Sequence, residues 1–241
     1  MRARLAAHPD QLHLLLMMAL TFSTGIIDAV GYLGLDRVFT GNMTGNVVIL
    51  GMALLGADGL PIVGPVVALA GFVVGAIVAG RVLRGVPTGW ASRSTALFIA
   101  VGVLVLAIAV WLTSAGDALP QWMQLTVTGG LGFAMGIQAA TARHIAVKDV
   151  TTVVVTSTLT GLAADSRLGS NTGQPWRRRL GAVVLICSGA ALGAASLNAH
   201  LSLGLYLSGG ITLIAAILGH LGHQGRSTVD PDDADDAPYA S

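Results

Sequence analysis

Long apolar segments, separated by short polar connections, run through almost the whole chain. Six of them have about the 20 residues that an α-helix needs to cross a bilayer. They are residues 12–33, 62–82, 95–112, 122–141, 180–197 and 201–221. Two more, residues 40–55 and 150–164, are shorter and carry Thr, Asn, Ser or Gly near their start. Because apolar segments interrupted in this way are typical of half helices that line a cavity, the pattern predicts an all-α membrane protein with two half helices.

The distribution of lysines and arginines indicates whether the two short segments cross the membrane or enter it and return on the same side. If both re-enter and the N-terminus is cytoplasmic, twelve of the 13 lysines and arginines lie inside and only Arg37 lies outside. If both cross, the split falls to seven inside and six outside. Because cytoplasmic loops carry an excess of Lys and Arg, we predict six spanning helices, two re-entrant half helices and cytoplasmic termini.

The order of the segments repeats along the chain: a long span, a half helix and two further spans occur twice. A shift of 116 residues places residues 39–45 over 155–161, with three of the seven positions identical. We therefore assign residues 1–116 to a first repeat, 117–222 to a second, and 223–241 to a disordered acidic tail. Since each repeat crosses the membrane an odd number of times, the two repeats are predicted to be inverted relative to each other.

Composition places most of the chain in lipid, since 54% of the residues are hydrophobic and only 10% are charged, against about 25% in a soluble domain. The single cysteine, Cys187, excludes an internal disulfide and a cysteine-based metal site. The histidines show no paired spacing, and the motifs of zinc proteases and of intramembrane serine proteases do not occur. We therefore expect no enzyme activity, no metal, no cofactor and no nucleic-acid partner, with the lipid bilayer as the main partner.

Asp28 is the only acidic residue well inside a predicted span. A carboxylate there costs about 2.5–3.5 kcal/mol on insertion scales, so we expect it to have a partner or a role. Three roles stay open: it binds and releases a proton, it coordinates a cation, or it accepts N–H groups from the half helix at residues 41–44. Gln138, at the corresponding place in the second half, is a neutral counterpart that can form hydrogen bonds but cannot titrate.

Polar side chains cluster at the start of both half helices. The N-terminus of a helix leaves several N–H groups unpaired and carries a partial positive charge. If the half helices enter from opposite sides, these ends meet near the midplane and form a site for an anion or for the polar end of a small solute. The side chains concerned are Thr40, Asn42, Thr44 and Asn46 in the first half, and Thr152, Thr156, Thr158 and Thr160 in the second. The alternative is that these side chains only cap the helices.

Two stretches of the sequence resemble a known family. The first is Gly25-x-x-Asp28-Ala29-x-Gly31-Tyr32-Leu33, followed by Phe39, Met43-Thr44-Gly45-Asn46 and Gly51. The second is Gly132-x-x-Met135-Gly136-x-Gln138-x-Ala140, followed by Thr151-Thr152-x-x-x-Thr156-x-Thr158-Leu159-Thr160. Together they resemble the YoaK-like family of small bacterial integral membrane proteins, a domain of unknown function. The resemblance implies a multi-pass protein of the bacterial inner membrane, and the half-helix plan is similar, in fold only, to the core of sulfate and uracil permeases.

These features predict a small-solute secondary transporter with alternating access around the site between the half helices. Two alternatives stay open, namely a passive channel with the same geometry and a structural or regulatory membrane protein without transport. Small residues at Gly71-x-x-x-Gly75 and at residues 188–195 form close-packing surfaces, which either hold the repeats together or form a homodimer.

Overall fold

The computed structural model describes residues 9–57, 59–115, 119–145, 155–166, 168–170 and 176–227. All regular secondary structure in this part of the chain is helical, which confirms the predicted all-α class. The eight helices there are α1 (Pro9–Gly34), α2 (Met43–Leu54), α3 (Val63–Val82), α4 (Ser92–Ser114), α5 (Gln121–Ile145), α6 (Val155–Ala164), α7 (Trp176–Ser196) and α8 (Leu201–Ser227).

Five of the helices are both long enough and apolar enough to cross a membrane, namely α1, α3, α4, α7 and α8. The sixth predicted span, residues 122–141, lies within α5, which has 25 residues and is therefore about 37 Å long. It is less apolar than the other five because it carries polar residues such as Thr128, Gln138 and Thr141. These three side chains are buried where α5 packs against its neighbours, so they do not face lipid.

The two short helices match the predicted half helices in length. With 12 and 10 residues, α2 and α6 are about 18 Å and 15 Å long, too short for the hydrocarbon core of about 30 Å. The helix α2 begins at Met43 instead of residue 40, because residues 40–42 form a loop whose N–H groups are bonded to a side chain of α1. Residues 150–154 of the second predicted half helix lie outside the described residues.

The C-terminal helix is longer than the sequence predicts. Residues 223–227, assigned above to a disordered tail, continue α8 as far as Ser227. Gln224 lies one turn after His220, and their side-chain nitrogens are 2.9 Å apart, which is a contact that the helical spacing favours. The rest of the predicted tail, residues 228–241, lies outside the described residues.

Glycines allow two pairs of helices to pack with their backbones in contact. Between α3 and α5, a Cβ on Gly75 would overlap the carbonyl oxygen of Phe133, and a Cβ on Gly136 would overlap that of Phe72. The pair α1 and α7 is built in the same way, with Gly25, Gly189 and Gly193 against the facing backbone. Both small-residue surfaces therefore hold helices of one chain together, which is the first of the two alternatives left open above.

The largest apolar core lies among α1, α4, α5 and α8, where Ile26, Val101, Leu131 and Leu205 are fully buried. Large apolar side chains such as Val73 and Ile77 of α3 are exposed, as suits contact with lipid. Because α1 packs against α7 and α8 and also touches α5, it is the central helix of the described bundle. The polar cluster described next lies on the face of α1 that meets α5.

Candidate functional site

The loop between α1 and α2 folds back over the end of α1. A Cβ on Gly31 would lie 2.7 Å from the carbonyl oxygen of Val38, so glycine is needed for the loop to run this close to the helix. Phe39 stacks on Tyr32, with 4.8 Å between the ring centroids. The loop therefore passes beside Asp28, which lies about one turn before Gly31.

Asp28 accepts three backbone hydrogen bonds from this loop. Its Oδ1 lies 3.0 Å from the amide nitrogen of Thr40, 2.7 Å from that of Gly41 and 3.3 Å from that of Asn42. Of the three roles considered for Asp28, the structure shows the acceptance of N–H groups, although the donors begin at residue 40 and not at 41. The carboxylate occupies the place that a bound anion would take ahead of a helix N-terminus.

The two asparagines of the predicted site are used within the loop and the first turn of α2. Asn42 is the N-cap, and its Oδ1 accepts from the amide nitrogen of Gly45 at 3.2 Å. Asn46 is fully buried, and its amide forms two bonds with the backbone of Phe39: N–H to Oδ1 at 2.9 Å and Nδ2 to the carbonyl at 2.6 Å. Asn42 therefore caps α2, and the amide of Asn46 bonds Phe39 and, through Nδ2, Met43 Sδ at 3.7 Å.

The two threonines of the first half differ in their surroundings. Thr40 is fully buried, and within the described part of the chain its Oγ1 has no hydrogen-bond partner. Its Cγ2 and its Oγ1 would lie 3.0 Å and 3.6 Å from a Cβ on Gly31, so the side chain faces α1. Thr44 is exposed in the first turn of α2. Only Thr40 therefore adds a buried polar atom to the surroundings of Asp28.

Gln138 reaches the same face of α1 from α5. Its Nε2 donates to Thr24 Oγ1 at 3.2 Å, one helical turn before Asp28. The hydroxyl hydrogen of Thr24 is used in a 2.9 Å bond to the carbonyl of Leu20, so Thr24 can only accept from Gln138. Consequently Oε1 of Gln138 is left buried with no partner among the described residues. Asp28 and the contact between Thr24 and Gln138 thus lie on one face of α1.

Thr24 and Gly41 complete the cluster and are absent from the predicted site. A Cβ on Gly41 would lie 3.0 Å from Thr24 Cγ2 and 3.3 Å from Met135 Cε, so glycine lets the loop fit between α1 and α5. The signal that could have identified Thr24 is its spacing of four residues from Asp28, which places both side chains on one helix face.

The second half of the predicted site is described only in part. Thr152 lies outside the described residues. On α6, Thr156 and Thr160 are exposed, Thr160 Oγ1 donates to the carbonyl of Thr156 at 2.9 Å, and Thr158 is buried. The helix α6 packs against α7, whereas α2 packs against α3. The hydrogen bonds found around Asp28 come from α1, α5 and the loop before α2, so the meeting of the two half helices stays a prediction.

An ion pair ties the end of α6 to α7. Arg179 Nη1 lies 2.7 Å from Asp165 Oδ2, and the arginine side chain is only 11% exposed. A Cβ on Gly161 would lie 2.8 Å from Arg179 Cζ, so glycine makes room for the guanidinium. Gly45, which the shift of 116 residues aligns with Gly161, faces the ring of Phe39 instead. Glycine therefore makes room for a guanidinium group at position 161 and for an aromatic ring at position 45.

The polar atoms around Asp28 that lack a partner among the described residues are oxygen acceptors. Asp28 is only partly buried, and within the described chain it has no ion pair and no donor to its second oxygen, Oδ2. Thr40 and Gln138 add one unpartnered oxygen each. Across the described ranges no group of three His, Cys, Asp or Glu side chains could hold a metal ion. The arrangement suits a group that donates hydrogen bonds or carries positive charge.

The family model described as "Protein of unknown function (DUF1275)" matches residues 16–218, which include the whole cluster. The chain belongs to the DUF1275 family. It is also similar to the UPF0700 transmembrane protein YoaK of Bacillus subtilis (strain 168), with 31% identity over 151 residues. That alignment covers 62% of this chain and 65% of YoaK, slightly less than two thirds of the relative.

No solved structure matches the chain. The predicted resemblance to the YoaK-like membrane family is confirmed by the DUF1275 match and by the similarity to YoaK. Together with the five long apolar helices, these findings make the chain a multi-pass integral membrane protein.

Proposed function

We propose that this DUF1275 protein is a secondary transporter for a small solute, and that Thr24, Asp28, Thr40 and Gln138 belong to its binding site. The observation that carries the proposal is that Gln138 of α5 bonds Thr24 on the face of α1 that also carries Asp28, and the proposed repeats put Asp28 and Gln138 in corresponding places. They lie where α1, α5 and the loop before the short helix α2 meet. Polar groups gathered at an interrupted helix within a membrane bundle are typical of substrate or ion pathways.

The packing of the helices supports an inverted pair of repeats. If α1, α2, α3 and α4 are exchanged with α5, α6, α7 and α8, the pair α1 and α7 becomes α5 and α3, and both pairs pack. The same exchange relates α2 and α3 to α6 and α7, and α1 and α8 to α5 and α4, while α4 and α8 map onto each other. The proposal therefore includes six spans, with α5 as the sixth, and re-entrant helices α2 and α6. The repeats keep their boundaries at residues 1–116 and 117–222.

The orientation in the membrane follows from the positive side chains. With α2 and α6 re-entrant, Arg37 is the one lysine or arginine of the sequence on the outer side, and both termini are cytoplasmic. In a bacterial cell this arrangement belongs to the inner membrane.

The chemistry of the cluster favours a neutral or cationic solute over the anion considered from the sequence. An anion would need the free N–H groups ahead of α2, and Asp28 Oδ1 already accepts those of Thr40, Gly41 and Asn42. A second negative charge beside an intramembrane carboxylate would be repelled in a medium of low dielectric constant. Donor groups of a solute would instead find unpartnered oxygens on Thr40 and Gln138.

The test is thermal unfolding of the purified protein with a panel of neutral polar metabolites, amines and small anions. A ligand that binds only the folded state stabilises it by about 2.7 kcal/mol at a hundredfold excess over its Kd. We expect a neutral or cationic solute to raise Tm in the parent but not in Gln138→Ala. Gln124→Ala is the matched control, since Gln124 lies on the same helix and bonds the carbonyl of Leu119 outside the cluster.

Uptake of the stabilising solute into proteoliposomes then separates transport from the alternatives. Accumulation against a gradient is the expected result. Conductance without coupling would instead assign a passive channel, and the absence of both binding and uptake would assign a structural or regulatory membrane protein. Stabilisation by an anion alone would contradict the argument from Asp28.

A further inference from the structure

We propose that a small monovalent cation, with Na⁺ as the probe, binds between Asp28 Oδ2, Thr40 Oγ1 and Gln138 Oε1. This inference deepens the proposed function, because it names the coupling ion of the same site. Binding of the ion is nevertheless measurable without any transport, so the two proposals can fail separately.

The first argument is the uncompensated charge of Asp28. The carboxylate lies in a spanning helix, and no arginine, lysine or histidine of the described chain forms an ion pair with it. Its Oδ1 is stabilised by three N–H groups, but peptide N–H groups carry only partial charges, and Oδ2 has no donor from the described residues. A charge left in this state inside a bundle is costly, so a bound positive ion is the natural complement.

The second argument is a pair of buried oxygens without partners. Thr40 is 0% exposed and Gln138 is 1% exposed, yet Thr40 Oγ1 and Gln138 Oε1 form no hydrogen bond with the described residues. Each such atom costs about 1–3 kcal/mol if it stays unpaired. Because the hydroxyl of Thr24 fixes Nε2 of Gln138 as a donor, rotation of the amide would only exchange one unpartnered atom for another.

The third argument is the placement of these oxygens around the carboxylate. The amide nitrogen of Thr40 is bonded to Asp28 Oδ1 at 3.0 Å, and Thr40 Oγ1 lies 3.6 Å from the Cβ position of Gly31, about one turn after Asp28 on α1. Gln138 is held by Thr24 one turn away on the same face of α1. The amide nitrogen of Gly41 donates to Asp28 Oδ1 at 2.7 Å, and a Cβ on Gly41 would lie 3.0 Å from Thr24 Cγ2. Thr40 and Gln138 therefore meet α1 about one turn after and one turn before Asp28.

The chemistry of this set favours a singly charged ion. Carboxylate, hydroxyl and amide oxygens are ligands that hard cations prefer. One carboxylate balances one positive charge, whereas protein sites for Ca²⁺ usually supply more oxygen ligands and more carboxylates. Since Asp28 remains partly exposed, an ion can reach Oδ2 from outside the bundle.

The experiment is thermal unfolding of the whole purified protein in detergent, titrated with NaCl against choline chloride at constant ionic strength. We expect Na⁺ to raise Tm in a saturable way. Thr40→Val and Gln138→Leu each remove one ligand oxygen with little change in shape, so we expect the apparent Kd for Na⁺ to rise about tenfold or more in each, which equals about 1.4 kcal/mol. Asp28→Asn should lose the response.

Two control variants test whether the effect belongs to this site. Asp36→Asn removes an exposed carboxylate from the same loop, and Ser94→Ala removes another buried hydroxyl that has no partner in the described chain. Both are expected to keep the response of the parent. An equal shift with choline, or a Na⁺ response that survives in Asp28→Asn, would overturn the inference, as would a response to acid with none to Na⁺.

Direct binding of radioactive Na⁺ gives a second readout if Asp28→Asn fails to fold. Saturable binding that is weakened in Gln138→Leu supports the cation site, and binding of equal affinity in that variant overturns it. If Na⁺ binds but no solute is taken up, the cation site stands and the transport proposal fails. If solute is accumulated without Na⁺ and no Na⁺ binds, transport stands and the cation site fails.

Discussion

Asp28→Asn and Asp28→Leu separate the charge of Asp28 from its hydrogen bonds. Both variants lack the carboxylate charge, so the stabilisation that comes from removing a charge inside the membrane is the same in both. Asparagine keeps an oxygen at the place of Oδ1, which can accept the N–H groups of Thr40, Gly41 and Asn42. Leucine has a similar shape and no acceptor.

The expected difference in stability follows from these N–H groups. The bond from Asn42 lies in an exposed position, where water can replace the acceptor, so only the partly buried bonds from Thr40 and Gly41 count. A buried donor that loses its acceptor costs about 1–3 kcal/mol, so Asp28→Leu is expected to be less stable than Asp28→Asn by about 2–6 kcal/mol.

The assay is thermal unfolding of both variants in one detergent, followed by tryptophan fluorescence. For a protein of this size the difference corresponds to a Tm lower by about 4 °C or more in Asp28→Leu. Neither variant is expected to respond to Na⁺, because the charge is absent from both. If the two variants unfold at the same temperature, Oδ1 does not hold the loop against α1 and the account of Asp28 given above is wrong.

Three further predictions concern packing, the loop and topology. Gly75→Val should lower the free energy of unfolding by about 1–3 kcal/mol, because the new side chain would overlap α5. Gly80→Val is the control, since Gly80 lies on the same helix with nothing within 4 Å of its Cβ position, and its Tm should stay close to that of the parent. Equal effects of the two variants on Tm would refute the close packing. Asn46→Ala should speed proteolysis or hydrogen exchange in residues 39–46, because both backbone groups of Phe39 lose their partner; unchanged protection would contradict this. With Cys187 replaced by serine, a cysteine at Asp36 should react with an impermeant reagent from outside and one at Arg84 only from inside; the reverse labelling would refute the orientation.

Much of the fold could be predicted because the ability of a segment to span a membrane depends on the composition of that segment alone. A run of about 20 apolar residues needs a helix in lipid wherever it occurs, so all six predicted spans coincide with helices. The short helices α2 and α6 were also predictable, since Thr, Asn and Gly interrupt their apolar runs. The start of α2 was misplaced by three residues because Asp28 holds residues 40–42 in a loop, and that bond joins positions more than ten residues apart.

The candidate site was predictable only in its first half, and there only by residue type. An intramembrane carboxylate identifies Asp28 by its cost, whatever surrounds it. In contrast, Asn46 and Thr40 are both buried polar residues near the start of α2, yet Asn46 bonds both backbone groups of Phe39, and the hydroxyl of Thr40 has no partner among the described residues. Composition cannot distinguish them, because hydrogen-bond partners depend on the path of the loop.

The sequence is enough to place the chain in a membrane, to locate its helices and to show that one carboxylate must be accommodated among them. These follow from transfer free energies, which depend on the composition of each segment alone. The three-dimensional structure is needed to show that glycines bring α3 against α5 and α1 against α7 within one chain, and that Gln138 bonds Thr24 on the helix of Asp28. Contacts between distant segments depend on which helices become neighbours, and no local pattern contains that choice.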